Sequence, residues 1–188
     1  MPTIVAISGS LRSKSFNTML LRAAIEVTPA GTTIDVASIK DISLYDGDVE
    51  AASGVPAPVQ ALKGRIARAD GLFLVTPEYN NSIPGVFKNA IDWLSRPASD
   101  IPRVFGECPV GLIGATPGRG GTNLAQEAWL PVLRALGALP YFGGRLGVAT
   151  ARSSFDDQGK LTDTVVRGLL EKYMTGFVKF VQRHRRPG

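Results

Sequence analysis

Apolar positions along the chain fall into two kinds of run, short continuous ones and longer ones at helical spacing. Ile4, Val5, Ala6 and Ile7 form the first short run, which reads as a parallel strand buried on both faces. Phe16, Met19, Leu20, Ala23, Ala24 and Val27 then recur at helical intervals and predict a helix beginning a few residues after the strand ends. Pro29-Ala30-Gly31 interrupts it, and Thr33 to Ile39 alternates apolar with polar or small residues, as a strand near a sheet edge does. Residues 40–58 have no sustained period and read as a loop, in which Leu44 and Tyr45 either pin the segment to the domain or cover a ligand.

The same alternation continues. Val59, Leu62 and Ile66 mark a helix, and Leu72 to Val75 is a continuous apolar run that reads as the central strand. After a turn from Thr76 to Gly85, Val86, Phe87, Ala90, Ile91 and Leu94 mark another helix, with Pro84 in its first turn and Ser82 as its cap. Val110 to Ala115 is a further strand, followed by a glycine-rich turn and a helix carrying Leu124, Ala128, Trp129, Val132, Leu133 and Leu136. A last strand is expected between Pro140 and Val148, weakened by Gly143, Gly144 and Gly147. Val165 to Val181 forms a final helix whose apolar face is wide enough to pack on the sheet and to touch a second subunit. Five strands alternating with helices imply an α/β, doubly wound parallel sheet. With strand order 2-1-3-4-5, the turns after strands one, three and four converge on one crevice.

Composition narrows the chemistry. The 188 residues suit one domain, taken as residues 1–182 with a basic tail at 183–188. Lys and Arg number 21 against 16 Asp and Glu, a formal charge of +5 to which the terminal RHRRPG contributes. No stripe of basic residues with interleaved aromatics appears, so nucleic acid is not an expected partner. Cys108 is the only cysteine, which excludes an intrachain disulfide or a cysteine-based zinc cluster and suits a reducing cytoplasm. His184 is the only histidine and lies in the basic tail, which argues against a Ser/His/Asp triad. Neither a signal peptide nor a membrane span is evident, so a cytoplasmic, membrane-independent protein is expected.

Candidate chemistry sits in the three turns. The first, Ser10 to Asn17, leads into a helix N-terminus, where free N–H groups and the helix dipole favour an anion. Ser10 and Ser15 offer hydroxyls, Asn17 an amide and Arg12 a permanent charge suited to a phosphate monoester. Lys14 and Leu11 stand where the P-loop and dinucleotide fingerprints require glycine, which counts against ATP and a Rossmann-bound NAD. In the second turn Pro77 stiffens the chain, so that backbone donors at Glu78, Tyr79 and Asn80 can meet the polar edge of a flat ring. The Tyr79 ring and the Gly118 to Gly121 stretch of the third turn, Thr116 to Gly121, allow close approach to the ring face. Glu78 is expected to anchor its loop, and Lys88 and Asp92 to form a surface pair. A phosphate site beside a planar-ring site fits flavin mononucleotide (FMN).

Over nearly its whole length the chain resembles the NAD(P)H-dependent FMN reductase family, whose flavodoxin-like members include quinone, chromate and azo-dye reductases. The motifs are GSLRSKSFN at Gly9 to Asn17 and PEYNNSIPGVFKNAIDWLSR at Pro77 to Arg96. The resemblance implies that Ser10, Arg12, Ser15 and Asn17 hold the phosphate, flanked by Leu11 and Phe16. Pro77, Glu78, Tyr79 and Asn80 would border the isoalloxazine, with Thr116 and Gly118 on the third loop. It further implies NADPH or NADH as co-substrate, ping-pong turnover with small-molecule acceptors, no side chain acting as acid or base and no metal. A homodimer or homotetramer is also implied, with the last helix and Trp93 at the subunit boundary. Three other readings are an electron-carrying flavodoxin, which the basic charge opposes, a reductase passing reduced FMN to a monooxygenase, and a redox-sensing module.

Overall fold

The computed structural model describes residues 1–186. The elements are β1 (Thr3–Ser8), α1 (Phe16–Glu26), β2 (Thr33–Ala37), α2 (Gly47–Ser53), α3 (Ala57–Arg68), β3 (Gly71–Val75), α4 (Gly85–Leu94), α5 (Ile101–Val104), β4 (Pro109–Ala115), α6 (Asn123–Ala135), β5 (Leu139–Pro140), β6 (Leu146–Val148) and α7 (Thr164–Arg183). All strand pairs are parallel, and the order is β2-β1-β3-β4-β5, with β6 also on β4. This is the flavodoxin-like arrangement, with β2 at one edge and β3 in the centre as the apolar pattern predicts.

The continuous apolar runs exist because both sheet faces are covered. Val5, Ile7, Leu72 and Leu74 pack against α3, α4 and α6, whereas Ile4, Ala6, Phe73 and Val75 pack against α1 and α7. Alternate residues of one strand thus enter different cores. Most of the wide α7 face is absorbed this way: Leu170, Tyr173, Met174, Phe177, Val178 and Val181 are buried, leaving Val165 and Leu169 exposed. Trp93 is fully buried, its indole N–H donating to the Ser43 carbonyl at 3.0 Å, so it does not offer the subunit contact the resemblance implied.

The fifth position departs from a single strand. β5 pairs only Pro109 and Val110 and β6 only Ile113 to Ala115, so the β4 edge is uncovered between them. The Tyr173 hydroxyl fills that gap, accepting from Leu112 N at 2.7 Å and donating to Leu112 O at 3.1 Å. One phenol thereby replaces a rung of the ladder.

Residues 40–58 contain a helix, α2, that the pattern conceals because none of its residues is buried. Its signal is the Asp46 cap, whose carboxylate accepts from Asp48 N at 2.9 Å. Tyr45 pins this segment, its ring edge-on to Trp93 at 4.9 Å and its hydroxyl donating to Glu50 at 2.9 Å, while Leu44 stays exposed. Arg96 bonds the same Glu50 at 2.8 Å. Ser82 does not cap α4: Pro84 occupies the cap position, and Ser82 is held by backbone pairing with Tyr79. In the basic stretch at 183–188, Arg183 closes α7 and Arg185 lies 3.5 Å from Asp70. Arg186 donates to the Ile66 and Ala69 carbonyls at 2.7 and 2.8 Å, at the end of α3. The last two positions of that stretch, 187 and 188, lie outside the described residues.

Lys63 is fully buried and reaches the Arg96 carbonyl and Asp100, the latter at 2.6 Å. The Arg103 guanidinium and then the Lys63 ammonium hold the Asp100 carboxyl at about 2, below its usual value near 3.8. A depressed carboxylate stabilises the fold above its unfolded pKa and loses that contribution as pH falls through the folded one. Wild-type melting temperature should therefore drop between about pH 4 and pH 2 more steeply than that of Asp100→Asn. At neutral pH Asp100→Asn should cost about 2 kcal/mol, because the buried ammonium loses its counter-charge. Parallel acid profiles in circular-dichroism melts would refute this.

Candidate active site

The first turn is locked from below. Gly9 donates to the Val75 carbonyl at 2.9 Å, and a side chain at Gly9 would run into the Phe87 ring, so only glycine fits under this turn. Ser15 caps α1, its Oγ accepting from Asn17 N at 3.2 Å. Asn17 clamps α1 to the end of β4: Nδ2 donates to Ala115 O at 2.8 Å and Oδ1 accepts from Ala115 N at 2.9 Å. Its amide is thus mainly a strut, with one Nδ2 hydrogen left over. Ser10 Oγ accepts from Arg12 N at 3.4 Å. The Arg12 guanidinium makes no ion pair among the described residues, and α1 has no acidic residue in its first turn. The positive helix end is therefore uncompensated.

The second turn is a tight loop. Tyr79 and Ser82 exchange backbone bonds of 3.1 Å in both directions, with Asn80 and Asn81 between them at φ +49° and +60°. Asparagine tolerates this left-handed geometry, and a two-residue hairpin needs it. The Tyr79 N–H is consequently used internally and is not a free donor, contrary to the sequence expectation. The Glu78 N–H makes no hydrogen bond among the described residues. The Glu78 carboxylate accepts from Ala125 N at 3.0 Å, the loop-anchoring role its position suggested. Lys88 and Asp92 form the surface pair at 2.7 Å.

The third turn is braced by a segment that local sequence patterns do not single out. Thr116 Oγ1 accepts from Gly118 N at 3.2 Å, Thr150 N donates to Gly118 O at 2.8 Å and Ala151 N to Thr116 O at 3.0 Å. Gly121, at φ +61°, lies against Gly147 so closely that neither position has room for a side chain.

These turns meet in a crevice of about 180 Å³ lined by Ser10, Arg12, Ser15, Phe16, Asn17, Pro77, Glu78, Tyr79, Ala115, Thr116 and Pro117. Nine of the twelve expected positions lie there. Leu11 lines an adjoining cavity with Ser8, Thr18 and Ser38, while Asn80 and Gly118 stand outside the lining. Ala115 and Pro117 are additions; each adjoins a residue already singled out. A larger cavity, about 360 Å³, follows from the split fifth strand and is walled by Leu112, Leu130, Leu133, Tyr141 and Phe142. None of the three turns contributes to its lining, and the Arg145 there is paired with Glu127 at 3.4 Å. Cys108 is fully buried, and burial pushes its thiol up to about 11, so it is no nucleophile at neutral pH. His184 is occupied at the end of α7, a ring nitrogen 2.9 Å from the Phe180 carbonyl.

An anion-ready helix terminus beside an open backbone donor and a glycine-rich loop, at the carboxyl ends of a doubly wound sheet, is a nucleotide-binding α/β site. Residues 2–153 match the family model of NADPH-dependent FMN reductase, and the chain belongs to that family. It is 40% identical to an NAD(P)H-dependent FMN reductase of Pseudomonas aeruginosa, covering 97% of this chain and 96% of that protein. It is 37% identical to a quinone reductase of Escherichia coli, over 96% and 95% of the two chains. Among solved structures, the flavoenzyme NAD(P)H:acceptor oxidoreductase of Paracoccus denitrificans superposes with a TM-score of 0.88 at 29% identity, covering 99% of this chain and all of that one. The protein is accordingly an oxidoreductase of the FMN reductase and quinone reductase family, with FMN as cofactor and NAD(P)H as co-substrate. Among the described residues no helix is long and apolar enough to cross a membrane.

Proposed function

We propose that FMN binds in the crevice between the first, second and third turns and that turnover is ping-pong, NAD(P)H and a quinone visiting the same flavin face in succession. The observation carrying this reading is the uncompensated Arg12 guanidinium beside an α1 terminus free of acidic residues. Ser10, Arg12 and Ser15 bind the phosphate, with the spare Asn17 hydrogen. Pro77 and the Glu78 N–H would orient the ring edge, with Thr116, and Gly118 just beyond the lining, available to its face. FMN supplies the hydride-accepting and hydride-donating chemistry, and the protein supplies binding and orientation. Tyr79, a residue 42% exposed, lines the crevice, and an open approach there suits acceptors of varied shape. Quinones are the acceptors favoured by the relatives' activity, with chromate and azo compounds as opportunistic ones.

Purified protein reconstituted with FMN should be yellow, bleach on anaerobic NADH or NADPH, and recover colour on addition of a quinone. Initial rates against NAD(P)H at several fixed quinone concentrations should give parallel double-reciprocal lines. Intersecting lines would replace ping-pong with a ternary complex. Bleaching without recovery by quinone, accompanied by FMN loss on gel filtration, would favour delivery of reduced FMN to a partner enzyme.

A further inference from the structure

We propose that Trp129 and Thr76 are positioning residues that fix the direction of the Glu78 N–H and so tune the bound flavin ring; the inference rests on the FMN placement above. Trp129 Nε1–H donates to Thr76 Oγ1 at 3.1 Å, and the Thr76 hydroxyl donates onward to the Pro77 carbonyl at 2.8 Å. Both residues are fully buried, so no water competes for these bonds. A hydroxyl has one hydrogen; with the indole N–H on its lone pair, that hydrogen goes to Pro77 O.

The consequence follows from peptide geometry. The Pro77–Glu78 bond is trans, and in a trans peptide the carbonyl and the amide hydrogen point in opposite directions. Drawing the Pro77 carbonyl back toward Thr76 therefore turns the Glu78 N–H away from the protein interior. That N–H has no partner among the described residues, and both Pro77 and Glu78 line the crevice. The Glu78 side chain is held separately by Ala125 N. One helix, α6, thus braces this turn twice, through Trp129 at the Thr76 hydroxyl and through Ala125 at the Glu78 carboxylate. A donor held rigidly at a flavin's polar edge favours the ring form carrying more negative charge there, so its direction alters redox behaviour as well as affinity.

The test titrates apoprotein with FMN and with riboflavin, which lacks the phosphate, and measures the midpoint potential of the bound flavin. Thr76→Val and Trp129→Phe should weaken both flavins alike, by about fivefold, and shift the potential. Thr76→Ser, which keeps the hydroxyl, should restore both. Lower melting temperatures with wild-type riboflavin affinity and potential would make the pair merely structural and overturn the proposal. Arg12→Ala serves as the separate control on placement: if it leaves FMN affinity intact, the crevice reading fails, whereas its success beside unchanged Thr76→Val defeats only the relay.

Discussion

Arg12→Ala should weaken FMN binding by about tenfold to a hundredfold while leaving riboflavin affinity and the melting temperature near wild type. The magnitude follows from a charge-assisted contact to phosphate, worth about 1.5–3 kcal/mol, or roughly 1.4 kcal/mol per tenfold. The selectivity follows from where Arg12 sits. Its side chain is exposed and makes no ion pair among the described residues, and only its backbone N–H is used within the turn, bonding Ser10 at 3.4 Å. Removing the guanidinium therefore strips charge from the site without unmaking a contact of the fold. Arg12→Lys should recover part of the affinity, since an ammonium keeps the charge but not the two-pronged geometry. The wild-type preference for FMN over riboflavin should also shrink as salt rises, because the site is open to solvent. Flavin fluorescence titrations read all of these, and an equal loss for both flavins in Arg12→Ala would show that the residue organises the turn instead of binding phosphate.

How far the architecture could be read in advance depended on burial. Strands covered on both faces announce themselves as unbroken apolar runs, as Ile4 to Ile7 and Leu72 to Val75 do, and helices packed on a sheet keep a stripe. The helix at Gly47–Ser53 buries nothing and so leaves no stripe; only its acidic cap betrays it. The sequence predicts one last strand between Pro140 and Val148, weakened by three glycines, where the structure has two short ones, and the phenol that satisfies Leu112 between them comes from Tyr173, 61 positions away. The site divides along the same line. Glu78 is legible as a loop anchor because turn chemistry is local, and Ser15, expected as a hydroxyl donor to an anion, is found capping α1. Asn17 reads as an anion ligand in sequence, yet its amide is bound to Ala115, 98 positions distant. Trp129 reads as one more residue of a stripe, and nothing local reveals that its indole N–H reaches Thr76.

Gly114→Ala should be among the most damaging single substitutions, costing about 3 kcal/mol of stability and abolishing FMN binding. Gly114 lies within β4, and a methyl group there would overlap both the Thr76 carbonyl and Thr122 Oγ1. Neither atom can retreat cheaply. Thr76 is held in the sheet by its N–H, which donates to Ile113 O at 2.8 Å. Thr122 is buried at φ +60°, with its hydroxyl accepting from Gln126 Nε2 at 3.0 Å. Displacing Thr76 carries Pro77 and Glu78 with it, and displacing Thr122 moves the glycine-rich loop and the start of α6. One methyl group would thus disturb two of the three turns that form the crevice, which is why binding should fail along with stability. Gly85→Ala supplies the contrast, because no neighbouring atom lies within 4 Å of the added carbon at the start of α4. It should be neutral or slightly stabilising, by up to about 1 kcal/mol, through the lower entropy of the unfolded chain. Denaturant unfolding of the two variants measures the difference. A Gly114→Ala protein that unfolds like wild type would mean that β3 and α6 can separate at the site without cost, contrary to the close packing that holds these turns together.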